Sequence, residues 1–452
     1  MRNWTLVLLL AVAAPVFLAP TTGCHIIFPD LFPPPDNGGD NGGDNGGDNG
    51  GDNGGDNGGD NGGNNGGNET PELTIVKTNV AVRHDAGLRV GDDLIVFGTG
   101  VVTGVSYIVP SSNPTVGTPV PNTGNYRSKG FAVGGRTIFL VNNNFQVAVF
   151  NVDAGGTPTV FAQEDIRLAN IPAGANDVGH IQADGDYCIV RCDATTVTDG
   201  RVLKVIDVSG NTPAVVSLNN PPGVSSGFAV HQVAVDAATK RAFAAAGTPA
   251  ALYVYDLNAP AADPITIALP NGISGVQMQV SGDYLIALDD RAYPQAFLVN
   301  LETNKVVALT AAAGIADVAV GDTTFAFFAD ADANDSSGGD QRVAVGSVPG
   351  PGFTKAALNQ YIDGSTENNG LRGFAGSLCV TPNGDYVFLA DSYLQYSLGT
   401  AAFMVPDDPA NTDPWACPAW DIHCSANTVG FKTAPTAGGG TDRTVGYIRL
   451  TD

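Results

Sequence analysis

Five residues fall at one place in a strand pattern that recurs along this chain: His180, Gln232, Gln277, Asp317 and Ser377, with Gly87 and Gly130 in the same register. His180 and Asp317 are the titratable members, and an imidazole with a carboxylate can divide general acid and base work if the two face each other. Otherwise they are solvent-facing polar groups. A second candidate is the acidic run containing Asp330, Asp332, Asn334, Asp335 and Asp340. Oxygen ligands two residues apart can converge on one hard cation, so Asp330, Asp332 and Asn334 form a candidate structural Ca2+ site. It departs from an EF-hand, with Asp335 where the sixth-place Gly belongs and Gln341 where the twelfth-place Glu belongs. A solvated acidic loop is the favoured account, and no cofactor is assigned.

Other matches are weaker. Gly223-Val224-Ser225-Ser226-Gly227 fits the Gly-x-Ser-x-Gly nucleophile pattern. That motif needs a strand before it and a helix after it, whereas here Pro-Pro precedes and a strand follows, so it reads as a turn. Cys417, His423 and Cys424 match no zinc spacing. In an oxidising compartment, Cys417 and Cys424 are the expected loop disulfide. Cys188 and Cys192 sit four apart in one strand, roughly 13 Å by strand rise, and cannot bond to each other.

The elements that must position these residues are short strands. From about residue 72 the chain is rich in Val, Ala, Gly, Thr and Asp, with alternating apolar runs between turn residues and no long helical period. This is an all-β profile. Residues 276 to 301 show the unit best: VQMQV, the turn SGD, YLIALDD, a loop, then AFLVNL. The same order recurs at 179–208 and 230–257, and more weakly at 131–152 and 315–348. First and last copies begin at Leu88 and Leu378.

Seven copies, 40 to 60 residues apart and each of three or four strands, predict a seven-bladed β-propeller over residues 72–452. The seventh copy is read as two strands at 378–391, an insertion at about 393–440 carrying Trp415 and Trp420, and a strand at 444–450. ELTIVKT at 72–78 is expected to be that blade's outer strand, joining the ends of the ring. Asp207, Asp256, Asn151 and Asn300 recur where third strands end and are read as turn caps.

The stretch VAVDAATKRAFAAAGTPAALYVYDL at 233–257 resembles the repeats of the bacterial YVTN and lactonase-like seven-bladed propellers, loosely extended over about 88–450. The resemblance implies that fold, with His180, Gln232, Gln277, Asp317 and Ser377 lining a channel. It also implies that any hydrolase would use channel acids or a divalent metal, and a ring with one acid argues against that. Fold likeness does not carry function.

The first 71 residues say where the protein works. Arg2 precedes about fifteen apolar residues at 5–19, too short for a spanning helix and the right length for a signal peptide, residues 1–23. Leu18-Ala19-Pro20-Thr21-Thr22-Gly23-Cys24 resembles a bacterial lipoprotein signal, departing from it at Thr21. The resemblance implies lipidation of Cys24; an ordinary cleavage would leave a secreted protein. Residues 24–35 follow, then a disordered linker at 36–71 built on Asp-Asn-Gly-Gly, with no apolar surface to offset the entropy of ordering. A Gly-rich coil of that length spans roughly 30 Å end to end.

The chain carries 45 acidic and 21 basic residues, a net charge of −24. Seven acids are linker aspartates, so the folded part is acidic in its own right. Nucleic acid is excluded as a partner, because its binding rests on Lys and Arg neutralising phosphate. Membrane contact is expected through the lipid anchor alone. The sequence therefore predicts an exported, lipid-anchored propeller at the cell envelope that binds or scaffolds an unknown protein or small-molecule ligand. The alternative is a lactonase-like hydrolase with His180 and Asp317 in the channel.

Overall fold

The computed structural model describes residues 73–82, 87–98, 104–112, 117–121, 130–142, 145–167, 175–194, 202–210, 212–219, 230–247, 250–270, 278–289, 295–309, 314–330, 341–348, 357–363, 378–390, 394–398, 419–433 and 443–450. All lie in one compact unit. Among the described residues, the regular structure is β apart from a single 3-10 turn at Pro110–Ser112, and every strand pairing is antiparallel.

The described strands form eight sheets, seven of four strands and one of three. Their first strands are Leu88–Gly91, Phe131–Gly134, Ala175–Asp184, Val230–Asp236, Met278–Ser281, Ile315–Val320, Leu378–Val380 and Ala419–Cys424. Each first strand stands beside that of the next sheet, and the eighth stands beside the first. The fold is a β-propeller, and its sheets are called blades 1 to 8 in chain order.

Eight apolar clusters lie between successive blades. Leu94, Val96, Phe131 and Val133 join blades 1 and 2; Val82, Leu88, Val445 and Tyr447 join blades 8 and 1. Because both faces of a blade are covered, second strands such as Leu94–Gly98 and Thr137–Val141 are buried at every residue. They read as continuous apolar runs rather than as alternation.

The expectation of seven blades is thereby corrected to eight. The stretch 393–440 is not an insertion, since it holds the third strand of blade 7, Leu394–Leu398, and the first two strands of blade 8, Ala419–Cys424 and Thr428–Thr433. Arg443–Arg449 is the third strand of blade 8 rather than of blade 7. Blade 8 is completed from the other end of the chain. Val76–Val82, four residues later than the expected 72–78, pairs with Arg443–Arg449 as the outer strand. Thr78 Oγ1 donates to the Val445 carbonyl at 2.7 Å and fixes the register. Leu73 and Ile75, just before it, are buried between blades 7 and 8.

Candidate functional site

The hairpin turns between first and second strands gather at one end of the ring. Asp92 N–H donates to the Gly135 carbonyl (3.0 Å), Ala237 N–H to Asp184 (2.7 Å), Asp322 N–H to the Pro382 carbonyl (2.7 Å) and Ser425 Oγ to the Asp92 carbonyl (3.2 Å). These bonds tie blades 1 to 2, 3 to 4, 6 to 7 and 8 to 1. Ser281 Oγ of blade 5 contacts Asp322 of blade 6 at 2.8 Å and the Pro382 carbonyl of blade 7 at 3.0 Å, so three blades meet around one hydroxyl. A Cβ on Gly91 would run into the Gly135 carbonyl, and one on Gly134 into that of Gly185. Neighbouring turns are therefore packed closely, through backbone and side-chain hydrogen bonds alike.

Four residues back from each turn, roughly 13 Å along the strand, lies the ring position identified from the sequence. Of its five polar members three are described, and all three follow a β-bulge: His180 opposite Arg191, Gln232 opposite Ala245, and Asp317 opposite Phe328. Bulges re-aim a side chain. His180 is half-buried, Gln232 is 3% exposed and Asp317 is fully buried. Asp317 Oδ1 accepts the Val318 amide at 2.9 Å, and Oδ2 accepts the Leu378 amide in blade 7, also at 2.9 Å. Its carboxylate ties blade 6 to blade 7. Asp317 is thus fully buried at a blade junction, where it accepts two amides. Gln277, Ser377, Asp332, Asn334, Cys417, Cys24 and Gly223 to Gly227 lie outside the described residues. Asp330 ends the second strand of blade 6, paired with Gln341.

The eighth member of the ring position is Asp421, in the bulged part of Ala419–Cys424 with φ +52°. Sequence reasoning missed it because blade 8 itself was missed. Lys432 Nζ lies 2.6 Å from Asp421 Oδ2, and His423 Nε2 lies 3.1 Å from Oδ1. Arg89 Nη1, from the first strand of blade 1, reaches His423 Nε2 at 3.3 Å and donates to the Leu88 carbonyl at 2.7 Å. Burial pushes the Asp421 carboxyl upward. The hydrogen bond and charge of His423, with Lys432 and Arg89, outweigh burial and hold it well below the usual carboxylate range. Burial lowers the His423 pKa, as do Arg89 and Lys432; Asp421 opposes them without prevailing. The group is thus an ionised carboxylate, a neutral imidazole and two cations across the blade 8 to blade 1 junction. A neutral imidazole oriented by a carboxylate is the arrangement of a general base.

The read caps are seen at three positions. Asp207 Oδ1 accepts the Ser209 amide (2.9 Å), Asp256 Oδ1 the Asn258 amide (2.8 Å) and Asn300 Oδ1 the Thr303 amide (2.8 Å). Cys188 and Cys192 are buried in the cluster between blades 2 and 3. Among the described residues, no group of three or more His, Cys, Asp or Glu is placed to hold a metal ion.

No family model and no curated protein matches the chain. Among solved structures it is similar to the β-propeller domain of Cps50 (Swd1) from Myceliophteria thermophila, at 11% identity and TM-score 0.43 over 69% of this chain and 95% of that one. It is also similar to the computationally designed Ika8 protein, at 10% identity and TM-score 0.47 over 82% and 99%. A proposed 6-phosphogluconolactonase from Bacteroides uniformis gives 12% identity and TM-score 0.44 over 69% and 94%. At these scores the likenesses add nothing to what the sheet topology shows, and they carry no function.

Proposed function

We propose that the chain is an exported propeller, lipid-anchored through Cys24, that binds or scaffolds a partner at the cell envelope. The observation that supports this reading is the use of Asp317, a fully buried acid whose oxygens accept the Val318 and Leu378 amides and so tie blade 6 to blade 7. The hairpin turns are tied blade to blade, which leaves the loops at the opposite end and the outer surface less constrained for recognition. Arg2, the apolar run at 5–19 and Gly23-Cys24 support export and anchoring. The Asp-Asn-Gly-Gly tract supports a spacer between anchor and ring.

A hydrolase is the second reading, and the Asp421–His423 pair favours it at a place other than the one first expected. The two readings separate in one pair of measurements. Crosslinking on intact envelopes, followed by recovery of the chain, is expected to capture a defined partner. Assay of the purified chain against a lactone panel, with and without divalent metal, is expected to give no turnover. Turnover abolished by His423→Gln would establish the second reading, and turnover abolished by His180→Ala the original channel site.

A further inference from the structure

Cys379 belongs to the first strand of blade 7 and Cys424 ends the first strand of blade 8. Counted back from their turns, Cys379 is one place further from its turn than Cys424 is, and side chains at these two places point in opposite directions around the ring. Cys379 faces forward into the cluster between blades 7 and 8, beside Phe388 and Ile422, and Cys424 packs against that cluster from the other side. The two thiols thus border the same cluster from the two blades that enclose it. Cys424 is a strand residue, not the loop residue expected from its Pro- and Trp-containing surroundings. Both are thiols in this structure.

We propose that Cys379 and Cys424 are a disulfide site that staples blade 7 to blade 8. The oxidant is an external disulfide, the class of reagent an oxidising compartment supplies. Cys424, partly exposed, attacks as thiolate; one sulfur of the external disulfide joins it and the other leaves as a thiol. The Cys379 thiolate then attacks the Cys424 sulfur and expels the second thiol. The chain loses two electrons and two protons, and the external disulfide gains them as two thiols. Burial, first, and then the neighbouring Cys424 and Asp317 push the Cys379 thiol well above its usual range, so the partly exposed Cys424 makes the first attack.

The cross-link closes the chain beside its final blade, next to where Leu73 and Ile75 pack. It would hold the last two blades together even when the Val76–Val82 pairing opens. Its occurrence in the cell rests on the export reading, but its formation in vitro does not.

The test uses the full chain, purified reduced and shown folded by its melting curve, then equilibrated with a glutathione disulfide and glutathione buffer. Acid quenching, denaturation, alkylation and non-reducing peptide mapping follow. The expected product is the Cys379 peptide linked to the Cys424 peptide, 2 Da lighter than the pair of thiols, unchanged by Cys417→Ser and absent in Cys379→Ser. A melting temperature several degrees above that of the reduced chain should accompany it. Recovery of Cys379 fully alkylated, or of Cys424 linked to Cys417, would overturn the proposal. Linkage in vitro with free thiols in chain recovered from envelopes would leave the site standing and count against export.

Discussion

A carboxylate buried at a blade junction is held by what it accepts, and Asp317 accepts two amides from two blades. Asp317→Asn replaces one acceptor oxygen with an N–H donor that opposes an amide. Stability should fall by about 1–3 kcal/mol, the range for leaving one buried polar group unsatisfied, as read from urea denaturation. The same substitution at exposed Asp283 should be nearly silent. Asp421 and His423 give a pH dependence with a definite sign. Each has a folded pKa below its unfolded value, so in both cases the unfolded chain binds more protons in the window between, and stability falls on acidification. Melting temperature should drop in two stages: first as pH falls below about 6.5, where the unfolded histidine protonates, and again below about 4, where unfolded carboxyls do. His423→Gln should remove the first stage and keep the second. At residues 330–340, where the solvated loop is the favoured account, calcium and EDTA should give the same melting curve.

At the scale of strands and hairpins, spacing in the sequence was a good guide wherever a blade followed the common plan. The turns at Gly135, Gly185 and Gly282 carry φ near +50°, a conformation that glycine enters freely, and they mark the hairpins in the text of the chain. Blade 8 was illegible for a physical reason. Its first strand bulges at Asp421 and Ile422, just before His423, so its apolar alternation is broken and it reads as a Cys- and Trp-containing loop. The equivalence of His180, Gln232 and Asp317 was legible because it depends on register; that Asp317 turns inward was not, because it depends on a bulge. The closing strand yields a test by deletion. Removing residues 1–68 should leave the melting temperature unchanged. Removing residues 1–82 takes away the partner of Arg443–Arg449 and exposes an open edge, so the product should aggregate or lose cooperative unfolding in size-exclusion chromatography and circular dichroism.

For the molecule as a whole, stability is shared among eight similar junctions rather than one central core. Phe297→Ala, emptying a side chain buried between blades 4 and 5, should cost about 3–5 kcal/mol. The loss should appear in a single cooperative transition, because an open ring leaves two blade faces uncovered. The balance of 45 acids to 21 bases means that duplex DNA should not be retarded by the chain at physiological salt.

Completion of blade 8 by the two ends of the chain also sets a schedule. Val76–Val82 is synthesised early, and its partner Arg443–Arg449 comes about 360 residues later. At 5–20 residues per second, that is a wait of roughly 20–70 s. Throughout that interval, a strand with an unsatisfied edge leads the nascent polypeptide while the sheet it belongs to does not yet exist. Until Arg443–Arg449 has been made, Val76–Val82 has nothing to pair with and blade 8 lacks both its third and its outer strand.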